Sequence, residues 1–160
     1  MGNPGVAGEG GVIRNHNGKW IRGFSRSIGI TTSVIVELWA LRDGLKLCID
    51  MHLPVVIVEL NALLVVDMID GNLTFSLCLS PLVDDCRALL SWIPQHQVKH
   101  CYREANAVAD ALAKFNANTE DDFVVFNSPL ASVLMLLYQD TSKFVYLRHC
   151  HSSSTPVLMV

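Results

Sequence analysis

Three short stretches place an oxygen-bearing side chain at the end of a regular element. These are Glu37 in Glu37-Leu38-Trp39-Ala40-Leu41, Asn61 in Val58-Glu59-Leu60-Asn61-Ala62, and Asp110 in Asn106-Ala107-Val108-Ala109-Asp110-Ala111-Leu112-Ala113. Carboxylate and amide oxygens are hard donors of the type that magnesium prefers. Asn106 and Asp110 are one helical turn apart and share a face of any helix that carries them. Glu59 leaves the same strand face as Asn61, although a two-residue step displaces it by about 7 Å. His100 stands at the end of an extended stretch, a position that needs no special purpose. Arg14, Lys19, Arg22 and Arg26 fall in a stretch whose only acid is Glu9, a basic edge that could contact phosphates.

The elements that must position these residues follow from turn chemistry and periodicity. Gly8 to Arg14 and Lys19 to Ile28 read as extended segments around Asn15-His16-Asn17-Gly18, a hairpin turn. Thr32 or Ser33 caps a helix in which Val34, Leu38, Leu41, Leu45 and Cys48 form one apolar stripe. Val55-Val56-Ile57-Val58 is a buried β-branched strand, followed by a helix from Ala62 to Ile69. Ser80-Pro81 opens the next helix, with serine as its cap, and that helix runs to about Ile93. Gln97 to Tyr102 is a strand, and Glu104 to Phe115 an alanine-rich helix. The order ββαβααβα implies a mixed sheet with helices on its faces. Phe123 to Phe126 is extended and Leu130 to Tyr138 a short helix. The serine-rich stretch from His151 reads as disordered through Val160.

Together with the leading Gly2-Asn3-Pro4-Gly5, the order of these motifs resembles the ribonuclease H family, most closely its plant, retrotransposon-derived branch. The resemblance runs from Gly2 to about Ala117, and Asp121 to Tyr138 resembles the tail that often follows in that branch. It implies an α/β fold with a five-stranded mixed sheet, and an endonuclease that hydrolyses the RNA strand of an RNA–DNA hybrid. Four carboxylates around two Mg2+ ions are implied, because two ions can activate water and stabilise the leaving oxygen. Glu37 matches the helix glutamate of that cluster and Asp110 the aspartate of the last helix. Asn61 stands where the family has an aspartate, which removes one negative charge. His100 is similar in place to a histidine that assists product release. The fourth ligand belongs to an Asp-Gly pair on a first, central strand, and the sequence starts after it. The expected sheet therefore lacks most of its central strand.

The chain has 160 residues, of which 51% are hydrophobic and 17% charged, with a net charge of −3. These proportions exclude a disordered chain and leave no global attraction to nucleic acid. Five cysteines, Cys48, Cys78, Cys86, Cys101 and Cys150, form no C-x-x-C pair and read as reduced core thiols. No apolar run reaches the ~20 residues of a membrane span. The glycines before residue 12 lead into a strand, so they make no phosphate loop. The chain is expected to be intracellular, in the nucleus or the cytoplasm, with no membrane contact and no obligate protein partner. Residues 1–118 are expected to form the ribonuclease H-like domain, 119–141 an extension, and 142–160 a disordered tail. The expected partner is an RNA–DNA hybrid or another nucleic acid, met by Asn3, Arg14, Lys19, Arg22, Arg26 and Asn106. With Asn61 in place of an acid, cleavage is expected to be weak or lost, leaving a binding module or a retroelement remnant.

Overall fold

In the computed structural model, residues 5–116, 122–148 and 155–160 are described; Asn3, Cys150 and the stretch 117–121 lie outside them. The chain runs β1 (Gly5–Arg14), β2 (Trp20–Thr31), α1 (Ser33–Asp50), β3 (Val55–Leu60), α2 (Leu63–Asp70), α3 (Ser80–Ser91) and β4 (Gln95–His100). A 3-10 turn (Arg103–Asn106) then leads into α4 (Ala107–Asn116), β5 (Phe123–Phe126), α5 (Ala131–Arg148) and β6 (Val157–Met159). The β1–β2 turn is set by its own residues. The Asn15 side-chain oxygen accepts hydrogen bonds from the Asn17 and Lys19 amides, both at 2.9 Å, and Gly18 adopts a positive φ of 76°. Helix α1 buries Leu38, Leu41, Leu45 and Cys48, the expected stripe, while Val34 packs at its margin. Helix α3 has Leu79, not Ser80, at its cap position, with Pro81 in the first turn where a missing N–H costs nothing.

The six strands are ordered β4-β3-β6-β1-β2-β5. This corrects two expectations. The sheet has six strands, not five, and its centre is filled: Val157–Met159, expected to be disordered, runs antiparallel to β1 and parallel to β3. The serine-rich composition of residues 152–154 suggested disorder, but the four apolar residues after Pro156 are all buried. Burying one such side chain is worth ~1.5–3 kcal/mol, enough to offset ordering a short strand. The extension is also part of the main sheet, since β5 pairs with β2 from Gly23↔Phe126 to Arg26↔Phe123. Helix α5 continues to Arg148, well past the expected Tyr138.

The two sheet faces bury separate cores. One, under α1 to α3, gathers Phe24, Leu38, Leu41, Val56, Val58, Leu60 and Leu158. The other, under α4 and α5, gathers Val12, Val108, Leu112, Val133, Val157 and Met159. Gly10 lets α4 lie directly on β1, because a Cβ there would be 2.5 Å from the Ala113 amide nitrogen. Cys48 and Cys86 are the core thiols expected, with burial pushing both up to about 12, whereas Cys78 is exposed and Cys101 half-buried.

A buried charge cluster fastens the hairpin to α1. Arg26 Nε lies 2.5 Å from Asp43 Oδ2 and 3.5 Å from Glu9 Oε1, and Arg42 ion-pairs with Asp85 on α3. The Arg26 guanidinium also lies over the rings of Phe123 and Trp39, at 4.8 and 5.7 Å, which ties β5 to the body. Burial, then a hydrogen bond to Asp43 and its charge, push Glu9 up to about 10 against the pull of Arg26 and Arg42. Glu9 therefore keeps its proton well above the usual carboxylate range.

Two outcomes follow for stability. Below pH about 4.5 the folded and unfolded chains both hold the Glu9 proton, whereas between there and about 10 only the folded chain does. Glu9 thus makes stability fall as pH rises through that window. Glu9→Gln keeps a donor for Asp43 and should flatten this decline, raising the melting temperature at pH 8 by roughly 2–4 °C per kcal/mol recovered; thermal melts across pH would read it. Gly10→Ala should destabilise by ~1–3 kcal/mol, since the obstructing atoms are backbone, and urea unfolding would measure the loss.

Candidate functional site

The parallel strands β3, β4 and β6 end at the same edge of the sheet, where the carboxyl ends of strands in α/β proteins typically meet ligands. A small cleft of ≈ 80 Å³ opens there. Gly8, Glu9 and Gly10 of β1 form its floor; Val36, Glu37 and Ala40 of α1 form one wall. Asn106, Ala109, Asp110 and Ala113 form the other wall, and Val160 closes the end. Sequence reasoning paired Glu37 with Asp110, and the fold brings both to this cleft from helices on opposite faces of the sheet.

Their electrostatics are coupled. Burial, then the negative charge of Asp110, raise Glu37 to about 7, while Arg103 pulls in the opposite direction. Glu37 Oε2 is buried with no hydrogen-bond partner among the described residues. Arg103 Nε donates to Asp110 Oδ2 at 3.5 Å, from a side chain that is 81% exposed. A pair so exposed is screened and weak. The sequence reading missed Arg103, although its place two helical turns before Asp110 is a usable signal. It also missed Val160 and Glu9 as lining residues, and no local pattern marks either.

The other expected site residues are distributed differently. Asn61 follows β3 at the same end of the sheet, but does not line the cleft. Glu59 is half-buried on the strand face opposite Val58 and Leu60, within the β3–β6 pairing. His100 is exposed at the end of β4 and packs edge-on against Tyr102, with ring centroids 5.6 Å apart; it does not line the cleft. Asn106 is not available to nucleic acid: it is buried, and its Nδ2 donates to the Val160 carbonyl at 2.8 Å. Arg14 is also withdrawn, with 0% exposure, because it lies between β2 and β6. Arg26 is committed to Asp43 and Glu9. Of the basic stretch, Lys19 is exposed and Arg22 half-exposed.

The donor set does not fit a two-ion magnesium cluster. Of the three acids lining the cleft, Glu9 is held in its neutral form beside Arg26 and Asp110 faces Arg103, and no three acid, histidine or cysteine side chains are grouped to hold a metal among the described residues. A larger cleft of ≈ 430 Å³, between α2, α3 and β4, contains one acid, Asp70. Its Arg87 is occupied by the carbonyls of Met68 and Ile69. No helix of the described residues is long and apolar enough to cross a membrane.

Comparison with known proteins agrees with this architecture. The family described as "Reverse transcriptase-like" matches residues 2–116. A provisionally named ribonuclease H protein of Arabidopsis thaliana is 34% identical over 142 residues, which is 88% of this chain. The chain spans only 23% of that relative's length. The crystal structure of RNase H1 from the archaeon Halobacterium salinarum superposes with a TM-score of 0.67 and 27% identity, over 71% of this chain and 87% of the other. The N-terminal RNase H domain of a Mycobacterium tuberculosis protein, solved as a fusion with maltose-binding protein, gives 0.68 and 26%, over 74% and 86%. The six-stranded mixed sheet flanked by helices is the fold of these proteins, and the chain belongs to the reverse transcriptase-like family of ribonuclease H-like domains.

Proposed function

We propose that this chain is a ribonuclease H-like module that binds RNA–DNA hybrids without the two-metal cleavage associated with the fold. The observation that carries the reading is the composition of the cleft: of its three acids, Glu9 faces Arg26 and Asp110 faces Arg103, which leaves Glu37, and Asn61 stays outside the lining. A hybrid is recognised by its shape and by the 2′-hydroxyls of its RNA strand, which does not require hydrolysis. Lys19 and Arg22 are the members of the basic stretch free to meet phosphates, so the electrostatic share of binding is small.

A second reading, magnesium-dependent hydrolysis by this chain, is favoured by one feature. The unpartnered Glu37 Oε2 is a buried oxygen that a hard cation would satisfy. The two readings diverge on a labelled RNA–DNA hybrid with magnesium. The proposal expects fluorescence-polarisation binding and no strand cleavage. Cleavage that disappears in Glu37→Gln would overturn it, and cleavage gained only with Asn61→Asp would identify the lost charge as the defect.

Binding should weaken with salt, with a slope of log affinity against log salt near −2, and Lys19→Ala and Arg22→Ala should each reduce it by about 1. A slope unchanged in both variants would place the contact elsewhere. For the carboxylates, Asp110→Asn removes the neighbouring negative charge and should lower the Glu37 pKa from about 7, read by carbon NMR of the Glu37 carboxyl. Because that pKa lies above its ordinary 4.5, Glu37 contributes stability that is complete below pH 4.5 and lost as pH rises through about 7. Asp110→Asn should shrink this loss.

A further inference from the structure

Strands β1 and β3 do not pair with each other; both pair with β6. The backbone of residues 156–160 is held on both edges. Ile57 N donates to Pro156 O at 3.0 Å and Val160 N to Glu59 O at 3.2 Å, while Val12, Ile13 and Arg14 face Met159, Leu158 and Val157. Asn106 adds a side-chain bond to the Val160 carbonyl, at 2.8 Å. The side chains enter holes made by glycine. A Cβ on Gly44 would lie 2.7 Å from Leu158 Cδ1, and one on Gly11 would lie 2.6 Å from Val160 Cγ1. Val157, Leu158, Met159 and Val160 are each at most 3% exposed.

The segment is seated as a ligand is in a site: backbone bonds along both edges, a hole for leucine, a hole for a β-branched residue, and an amide donating to the Val160 carbonyl. We propose that the slot between β1 and β3 is a β-strand-binding site for an apolar extended tetrapeptide, with residues 157–160 as its occupant in cis and the same peptide able to replace them in trans. Main-chain bonds supply affinity in such augmentation, and the alternate side-chain holes supply selectivity. The hole that takes Leu158 disfavours charge, since it lies among Gly44, Phe24 and the other buried apolar side chains of the core under α1.

Occupancy also bears on the cleft. Val160 closes it, and Asn106, which holds Val160, lies one turn from Asp110 on the same wall. The strand therefore positions α4 against β1 at the end where Glu37 and Asp110 meet. This inference is independent of whether the cleft binds hybrid or cleaves it.

The test uses the full chain with a protease recognition sequence in place of residues 151–154, folded first and then cut. The released hexapeptide, residues 155–160, should co-elute with the body and be displaced saturably by a fluorescent copy, one per chain. A peptide carrying Leu158→Asp should bind at least about a hundredfold more weakly, because it would bury an unpaired carboxylate. If the body unfolds after losing its peptide, adding the peptide should restore the melting transition. In the uncut chain, Gly44→Ala should lower the melting temperature and Leu158→Ala should partly relieve that loss, through the hole they share. Loss of the cut peptide with no uptake of the labelled copy and no rescue of folding would overturn the proposal. So would unchanged hydrogen exchange at Ile57 after the peptide has been removed.

Discussion

The rest of the structure hangs on the pairing of residues 157–159 with two strands that have no other link across the sheet. A sheet interior requires each strand to satisfy hydrogen bonds on both edges, and the buried N–H and C=O groups of β1 and β3 would otherwise face each other across a gap. Filling that gap does more than complete the ladder. Leu158 enters the core under α1, while Val157 and Met159 enter the core under α4. One short strand thus belongs to both hydrophobic layers, and alternation of side chains is the reason it can.

The two helices that frame the cleft are held by different physics. Helix α4 is held by shape: Gly10 permits backbone contact, and Asn106 ties the start of the helix to the end of β6. Helix α1 is held by charge as well as packing, through Asp43, Arg26 and a neutral Glu9. A buried carboxyl next to a carboxylate is tolerable because Glu9 keeps its proton and two guanidinium groups lie near. The same residues that stabilise this joint are withdrawn from any contact with phosphates. Arg26 serves the fold, which reduces the positive surface that nucleic acid could meet.

The cleft is shaped by burial and charge together. Burial, with the negative charge of Asp110 added to it, raises Glu37 to about 7. Arg103 offsets part of that repulsion from the solvent side. The ribonuclease H-like architecture places the pair, one acid from a helix on each face of the sheet.

The sequence alone determined the local elements and the two carboxylates. Asn15 and Gly18 encode the hairpin turn, the leucine stripe encodes α1, Pro81 marks the start of α3, and the motifs around Glu37 and Asp110 identify which acids belong together. These signals lie within a few turns or residues, where backbone preference and periodicity act. Tertiary structure decided the rest. Val157–Met159 is a strand because β1 and β3 offer unpaired edges and glycine-made holes, and nothing within residues 151–160 encodes either. Arg14 is buried because β6 lies beside it, Asn106 is a strap because Val160 arrives at its amide, and Glu9 keeps its proton because the fold buries it and sets Asp43 beside it. Each depends on a partner distant in the chain, and pairing across such a separation is decided by what remains unsatisfied once the local elements have formed.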